Sequence, residues 1–152
     1  MINYTGNEDI GDSSTPTIYV SGDPDKLGII TAINLACSSV FGYNKSELIN
    51  RNIKLLMPTI YAKYHDQFLL DYITNEGKPN WGKAMNKERV IFGKHKSYYI
   101  FPIIISLKAI QNNYQSLQFS GTFRMDRFFK IISYMIVYNE GMIDSISSSC
   151  IN

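Results

Sequence analysis

The sequence predicts an α+β domain: an antiparallel sheet of about five strands with helices gathered on one face. Three observations predict it. The candidate elements run strand, strand, three helices, then three strands, with hairpin-length connections on both sides of the helical stretch. Within Leu117 to Met125, Leu117, Phe119, Gly121 and Phe123 alternate with Gln118, Ser120, Thr122 and Arg124, the period of a half-buried strand. After Pro58 the period changes. Tyr61, Phe68, Leu69 and Tyr72 fall on one stripe roughly 100° wide, as on an amphipathic helix.

Composition sets the outer limits. At 152 residues the chain is one domain with room for a fragment of another, long enough to bury a core without disulfides or metal staples. Hydrophobic content of 45% and charged content of 18% are ordinary for a soluble globular protein. A net charge of +2 is too small to argue for nucleic acid or an acidic membrane as partner. Lys83, Lys87, Arg89, Lys94 and Lys96 read as a solvated hairpin face. Two cysteines, Cys37 and Cys150, make no disulfide framework, so a reducing compartment is expected. Met1 to Pro16 lacks the basic and apolar regions of a secretory signal. The strongly apolar uncharged run Ser97 to Leu107 is too short to span a bilayer. The expected location is the cytoplasm, either free or as a soluble part of a larger membrane protein.

Residues 1–16 are polar and read as a disordered segment. Thr17 to Val20 and Leu27 to Ile33 form a predicted hairpin around the turn Gly22-Asp23-Pro24-Asp25. Asn34 caps a helix over Leu35 to Phe41 that Gly42 ends, and Asn44 with Glu47 forms a capping box for a second short helix. Pro58 breaks the run, and Thr59 is the expected cap of the long helix. His65 lies inside that helix's apolar stripe, while Lys63, Gln67 and Leu70 lie outside it, so an imidazole points where the core should be. The helix is expected to stop before Lys78-Pro79, with Trp81 to Lys87 as a loop. Arg89 to Phe92, Tyr98 to Leu107 and Leu117 to Met125 complete the strands, with turns at Gly93 to Ser97 and at Asn112-Asn113.

The tail repeats an earlier pattern. Residues 28–37 and 141–150 both read G-[IM]-I-x-x-I-x-x-x-C, with Gly28 and Gly141 113 positions apart. The strand-like Ile131 to Tyr138 would correspond to Thr17 to Val20. Residues 128–152 are therefore expected to be the start of a second, truncated repeat or a linker, after a domain over 17–127.

The motifs, in order, resemble a PAS domain: Asn34-x-Ala36, Phe41-Gly42-Tyr43, Ser46 to Ile49, Asn52-Ile53, Leu56-Met57-Pro58 and His65-Asp66. Gly93, Phe101-Pro102-Ile103 and Phe119-x-Gly121-x-x-Arg124 follow. The likeness covers Thr17 to Arg127. The Leu-Met-Pro and His-Asp motifs resemble those of FixL-like haem sensors, and the overall character of the chain resembles the tandem PAS repeats of TmcB-like protist membrane proteins.

That resemblance implies a sensory or interaction module that holds a ligand between sheet and helices and passes a change in packing to a neighbour. It also implies candidate site residues. His65 matches the proximal haem ligand of the FixL kind, Arg89 the arginine that responds to bound oxygen, and Ile105 and Leu107 the apolar distal residues. Flavin adduct chemistry is excluded, because Ile53 stands where light-sensing PAS domains carry the reactive cysteine. His95 is expected to be exposed in a polar turn. No enzyme is expected: His65 and Asp66 are helix neighbours and diverge by about 100°. Phosphate-loop, paired-cysteine and nucleophile-elbow motifs are also missing. Two functional classes remain, a ligand sensor and a ligand-free dimerisation or scaffolding domain. Both allow a protein partner or a homodimer through the outer sheet face. An apolar cavity beside His65 favours the first, a solid interior the second.

Overall fold

The computed structural model describes residues 14–75, 85–111, 116–125 and 133–150. Residues 1–13, Lys78-Pro79, Trp81, Lys83, the Asn112-Asn113 turn and residues 126–132 lie outside the described residues. Five strands form one antiparallel sheet in the order β2-β1-β5-β4-β3. They are β1 (Thr17–Ser21), β2 (Ile30–Ile33), β3 (Arg89–Lys94), β4 (Ile100–Gln111) and β5 (Leu117–Arg124). Between β2 and β3 run α1 (Leu35–Val40), α2 (Lys45–Leu48), a 3-10 turn (Ile53–Leu56) and α3 (Thr59–Thr74). A separate antiparallel pair, β6 (Met135–Val137) and β7 (Ile143–Ile146), follows. The predicted fold class and element order are the observed ones.

Asn34 does more than cap α1. Its Oδ1 accepts from Cys37 N at 2.9 Å and from Thr17 N at 3.0 Å, and its Nδ2 donates to Thr15 O at 2.7 Å. One buried amide thus joins the first strand, the first helix and the entering chain, so Thr15 at the expected disordered edge is tied to the domain. The Asn44–Glu47 capping box forms as predicted. Strand residues Ile18, Val20, Ile103 and Phe123 then pack against Cys37, Phe41, Leu48 and Leu56 from the helical side. Phe41 meets Phe123 edge-on, ring centroids 5.5 Å apart.

Several boundaries differ from the sequence reading, each for a local reason. Pro58, not Thr59, occupies the N-cap of α3 and makes no side-chain cap bond, its fixed φ suiting the entry to the helix. β2 starts at Ile30, because Pro24–Lys26 winds into a 3-10 turn and Ile29 makes only an isolated bridge to Asn52. β3 runs on to Lys94. Tyr98 sits in the turn with φ of 67° and is 82% exposed, so it does not begin β4. His95 is half-buried, not exposed, stacked on Tyr99 with centroids 4.4 Å apart. The basic stretch is no single solvated face: Lys96 pairs with Glu47 at 2.6 Å, and Arg89 turns inward. Among the described residues, no helix is long and apolar enough to cross a membrane.

Candidate functional site

The long helix α3 stands off the sheet. None of its sixteen residues is fully buried, although its apolar stripe faces the sheet. The stripe was expected to enter the core and instead faces a cavity of about 520 Å³. Tyr61, His65, Phe68, Leu69 and Tyr72 line the helical wall together with Asp71, which the periodicity does not place there, while Lys63, Gln67 and Leu70 stay outside it. Ile18 and Val20 from β1, Ile91 from β3, Ile103 from β4 and Phe119 and Phe123 from β5 form the opposite wall. Gly121 deepens that wall. A Cβ there would lie 3.3 Å from Ile18 Cγ2 and would extend into the cavity's lining. Phe68 lines the cavity yet is 63% exposed, which marks the side open to solvent.

Two contacts fix the pose of α3. Lys54 Nζ, in the preceding 3-10 turn, meets Asp66 Oδ2 at 2.6 Å, and Tyr72 packs edge-on against Phe119 at 5.4 Å. Asp66 is thereby turned toward the 3-10 turn while His65 turns toward the cavity. The two side chains diverge as helix geometry requires.

His65 Nδ1 is buried and has no hydrogen-bond partner. Leaving such a group unsatisfied costs about 1–3 kcal/mol. Burial lowers the pKa of His65, opposed by Asp66 and assisted by Lys54. The imidazole is therefore neutral near pH 7, the form in which it binds metals. Among the described residues, no group of three or more His, Cys, Asp and Glu comes together. His65 offers one neutral imidazole on an apolar wall, the kind of protein ligand an iron macrocycle takes, so the residues present fit haem in kind.

All four residues singled out from the sequence, His65, Arg89, Ile105 and Leu107, lie on this one cavity. So does Ile53, the residue standing where a flavin-reactive cysteine would be. Cys37 is buried in the core and is not among the lining residues. The sequence reading missed Met57, Met85 and Phe92 as lining residues. Met57 lay within a motif already noted. Phe92 follows Ile91 on β3, and strict alternation would place only one of the two on the inner face.

No family model matches the chain. It is 29% identical over 84 residues to a probable serine/threonine-protein kinase of Dictyostelium discoideum, covering 55% of this chain and 5% of that protein. It is 28% identical over 88 residues to the sensor protein FixL of Bradyrhizobium diazoefficiens, covering 58% of this chain and 17% of FixL. The chain thus spans a small part of both. Among solved structures, the PAS domain of a protein from Colwellia psychrerythraea aligns with a TM-score of 0.56 at 19% identity, covering 75% of this chain and 87% of that one. With this topology and these likenesses together, the chain folds as a PAS domain.

Proposed function

We propose that this domain is a sensory module that takes a small apolar ligand between α3 and the sheet and reports its presence through the packing around that cavity. The observation that carries this reading is the apolar cavity with His65 in its wall. Its size lies within the range of about 300–1,000 Å³ typical of small-molecule sites. The reading is not catalytic. His65 faces the cavity and Asp66 faces Lys54, so the two do not converge on a substrate.

Haem is the ligand that the donor set suits best. His65 would hold the iron, Ile105 and Leu107 would keep the space beside it dry, and Arg89 would offer charge to a polar group on the ligand. When bound, haem would supply reversible binding of a diatomic gas. Arg89, Phe92 and α3 would meet any change in the ligand first, since all three line the cavity.

A route outward runs from there. Phe92 also packs edge-on against Tyr134, ring centroids 5.2 Å apart, ahead of β6. Asp144 of β7 lies close enough to Thr59, the first residue of α3, for that hydroxyl to help hold its carboxyl below the usual carboxylate range. The β6–β7 hairpin therefore touches both walls of the cavity, and movement of either wall would shift the hairpin.

A cavity-filling substitution separates this reading from a ligand-free scaffold bound through the outer sheet face. In a solid core, Leu107→Trp would cost about 1–3 kcal/mol through overpacking. The ligand reading predicts that the full-length variant melts within about 2 °C of wild type and no longer binds haemin. A clear loss of stability would show that the space is not there to be filled.

A further inference from the structure

The hairpin after the domain repeats the hairpin that opens it, in backbone as well as in sequence. In the first, Ile18 pairs with Ile33, Tyr19 with Ala32 and Val20 with Ile30, with a bulge after Tyr19. In the second, Met135 pairs with Ile146, Ile136 with Ser145 and Val137 with Ile143, with a bulge after Ile136. Each β7 partner lies 113 positions after its β2 counterpart, so the bulges skip Thr31 and Asp144, themselves 113 apart.

The bonds that close the two hairpins also correspond. Thr17 N donates to Asn34 Oδ1 at 3.0 Å, and Tyr134 N donates to Ser147 Oγ at 2.9 Å. Asn34 N returns to Thr17 O at 3.1 Å, and Ser147 N returns to Tyr134 O at 2.8 Å. Gly28 and Gly141 both take positive φ, 75° and 82°. Helical winding then begins at Leu35 in one and at Ser148 in the other. The connection is four residues shorter between Val137 and Ile143 than between Val20 and Ile30.

The two hairpins differ in what covers them. Ile18, Val20 and Ile30 are 4%, 6% and 0% exposed, whereas Met135, Val137 and Ile143 at the matching positions are 53%, 45% and 58% exposed. In the first hairpin β1 is also paired on its far side, to β5, through Gly121, Ser120 and Phe119 opposite Ile18, Tyr19 and Val20. β6 pairs with β7 alone.

We infer that Tyr134–Cys150 is the opening hairpin and first helical turn of a second copy of this fold, and that its apolar face is the docking surface for the rest of that copy. The occupant has a stated chemistry. An antiparallel strand alternating large apolar and small residues, as Phe119, Gly121 and Phe123 do, pairs with the free edge of β6. Apolar helix residues in the roles of Phe41 and Leu48 cover Met135, Val137 and Ile143. Since the same hairpin touches Phe92 and Thr59 of the first domain, the joint between the two copies lies against the cavity.

The hairpin's equivalence is tested by exchange within the full chain. Residues 17–33 are replaced by 134–146 in one variant and by 135–147 in another. The second slips the insert by one residue and turns its apolar face outward. The inference predicts a cooperative urea transition for the in-register exchange and a broad, non-cooperative one for the slipped exchange. Equal behaviour of the two, folded or unfolded, would overturn it. Sedimentation of the wild-type chain checks the occupant. A monomer is expected, and a dimer dissolved by Ile143→Asp would make a second copy of this chain the partner and refute the assignment.

Discussion

Ile30 and Ile143 sit at the same step of two hairpins with the same register, the same bulge and the same closing bonds, yet one is fully buried and the other 58% exposed. The pairing itself needs only local chemistry: β-branched residues, a glycine at positive φ, and a side-chain oxygen to receive the first strand's leading N–H. Burial needs partners from far along the chain. For the first hairpin these are β5, about a hundred residues on, and the residues of α1, α2 and the 3-10 turn. The same local structure therefore holds a core in one place and stands exposed in the other. The difference is worth about 1.5–3 kcal/mol for each large aliphatic side chain.

Substitutions at matched positions of the two hairpins should therefore have unequal effects. The largest contrast is Ile30→Asp against Ile143→Asp. A carboxylate at the first site is buried without a partner and should cost more than about 4 kcal/mol, removing the urea transition, while the second should stay within about 0.5 kcal/mol of wild type. The cysteines make the next contrast. Burial pushes the Cys37 thiol far up, whereas a hydrogen bond with Ser147 holds the exposed Cys150 below the usual thiol range. A disulfide reagent should titrate one thiol in the folded chain and the second only in denaturant. The fast rate should reach its plateau below the pH usual for a free thiol. Two fast thiols would mean that α1 lifts away from the core.

The caps come third. Asn34→Ala removes two accepted bonds and one donated bond, and should cost about 1–2 kcal/mol by denaturant titration. Ser147→Ala should leave the main transition in place. The glycines give the smallest contrast. Gly28→Ala meets both the left-handed backbone and Asn52 Nδ2, 3.0 Å from the added Cβ, whereas Gly141→Ala meets only the backbone strain. The first should lower the midpoint by about 1–2 kcal/mol, and the second should leave it unmoved.

Much of the site was legible because periodicity and motif order are written along the chain. The stripe Tyr61, His65, Phe68, Leu69 and Tyr72 follows from helical spacing alone, and the resemblance to PAS domains brought in Arg89, Ile105 and Leu107. Spacing gives the direction of a face, not its distance from the next layer, so the gap between α3 and the sheet was not readable. Tyr98 illustrates another limit. Its aromatic ring suits a strand, but the tight turn from His95 forces φ to 67° and leaves it in solvent. His95 shows the reverse, since its polar neighbours suggested exposure while the stack on Tyr99 is formed only when the hairpin closes. The internal repeat was visible as a pattern of glycine, isoleucine and cysteine. The matching register and the exposed core positions required coordinates.

Whether the cavity beside His65 is a ligand site is read from the absorption spectrum of the chain with haemin, set beside His65→Ala. A ligand site for haem gives a sharp Soret band that shifts on reduction and again on carbon monoxide, and that the substitution abolishes. A broad band of loosely bound haemin, identical in both proteins, would contradict haem as the ligand. If haemin also left the urea midpoint of both unchanged, the ligand site itself would be contradicted.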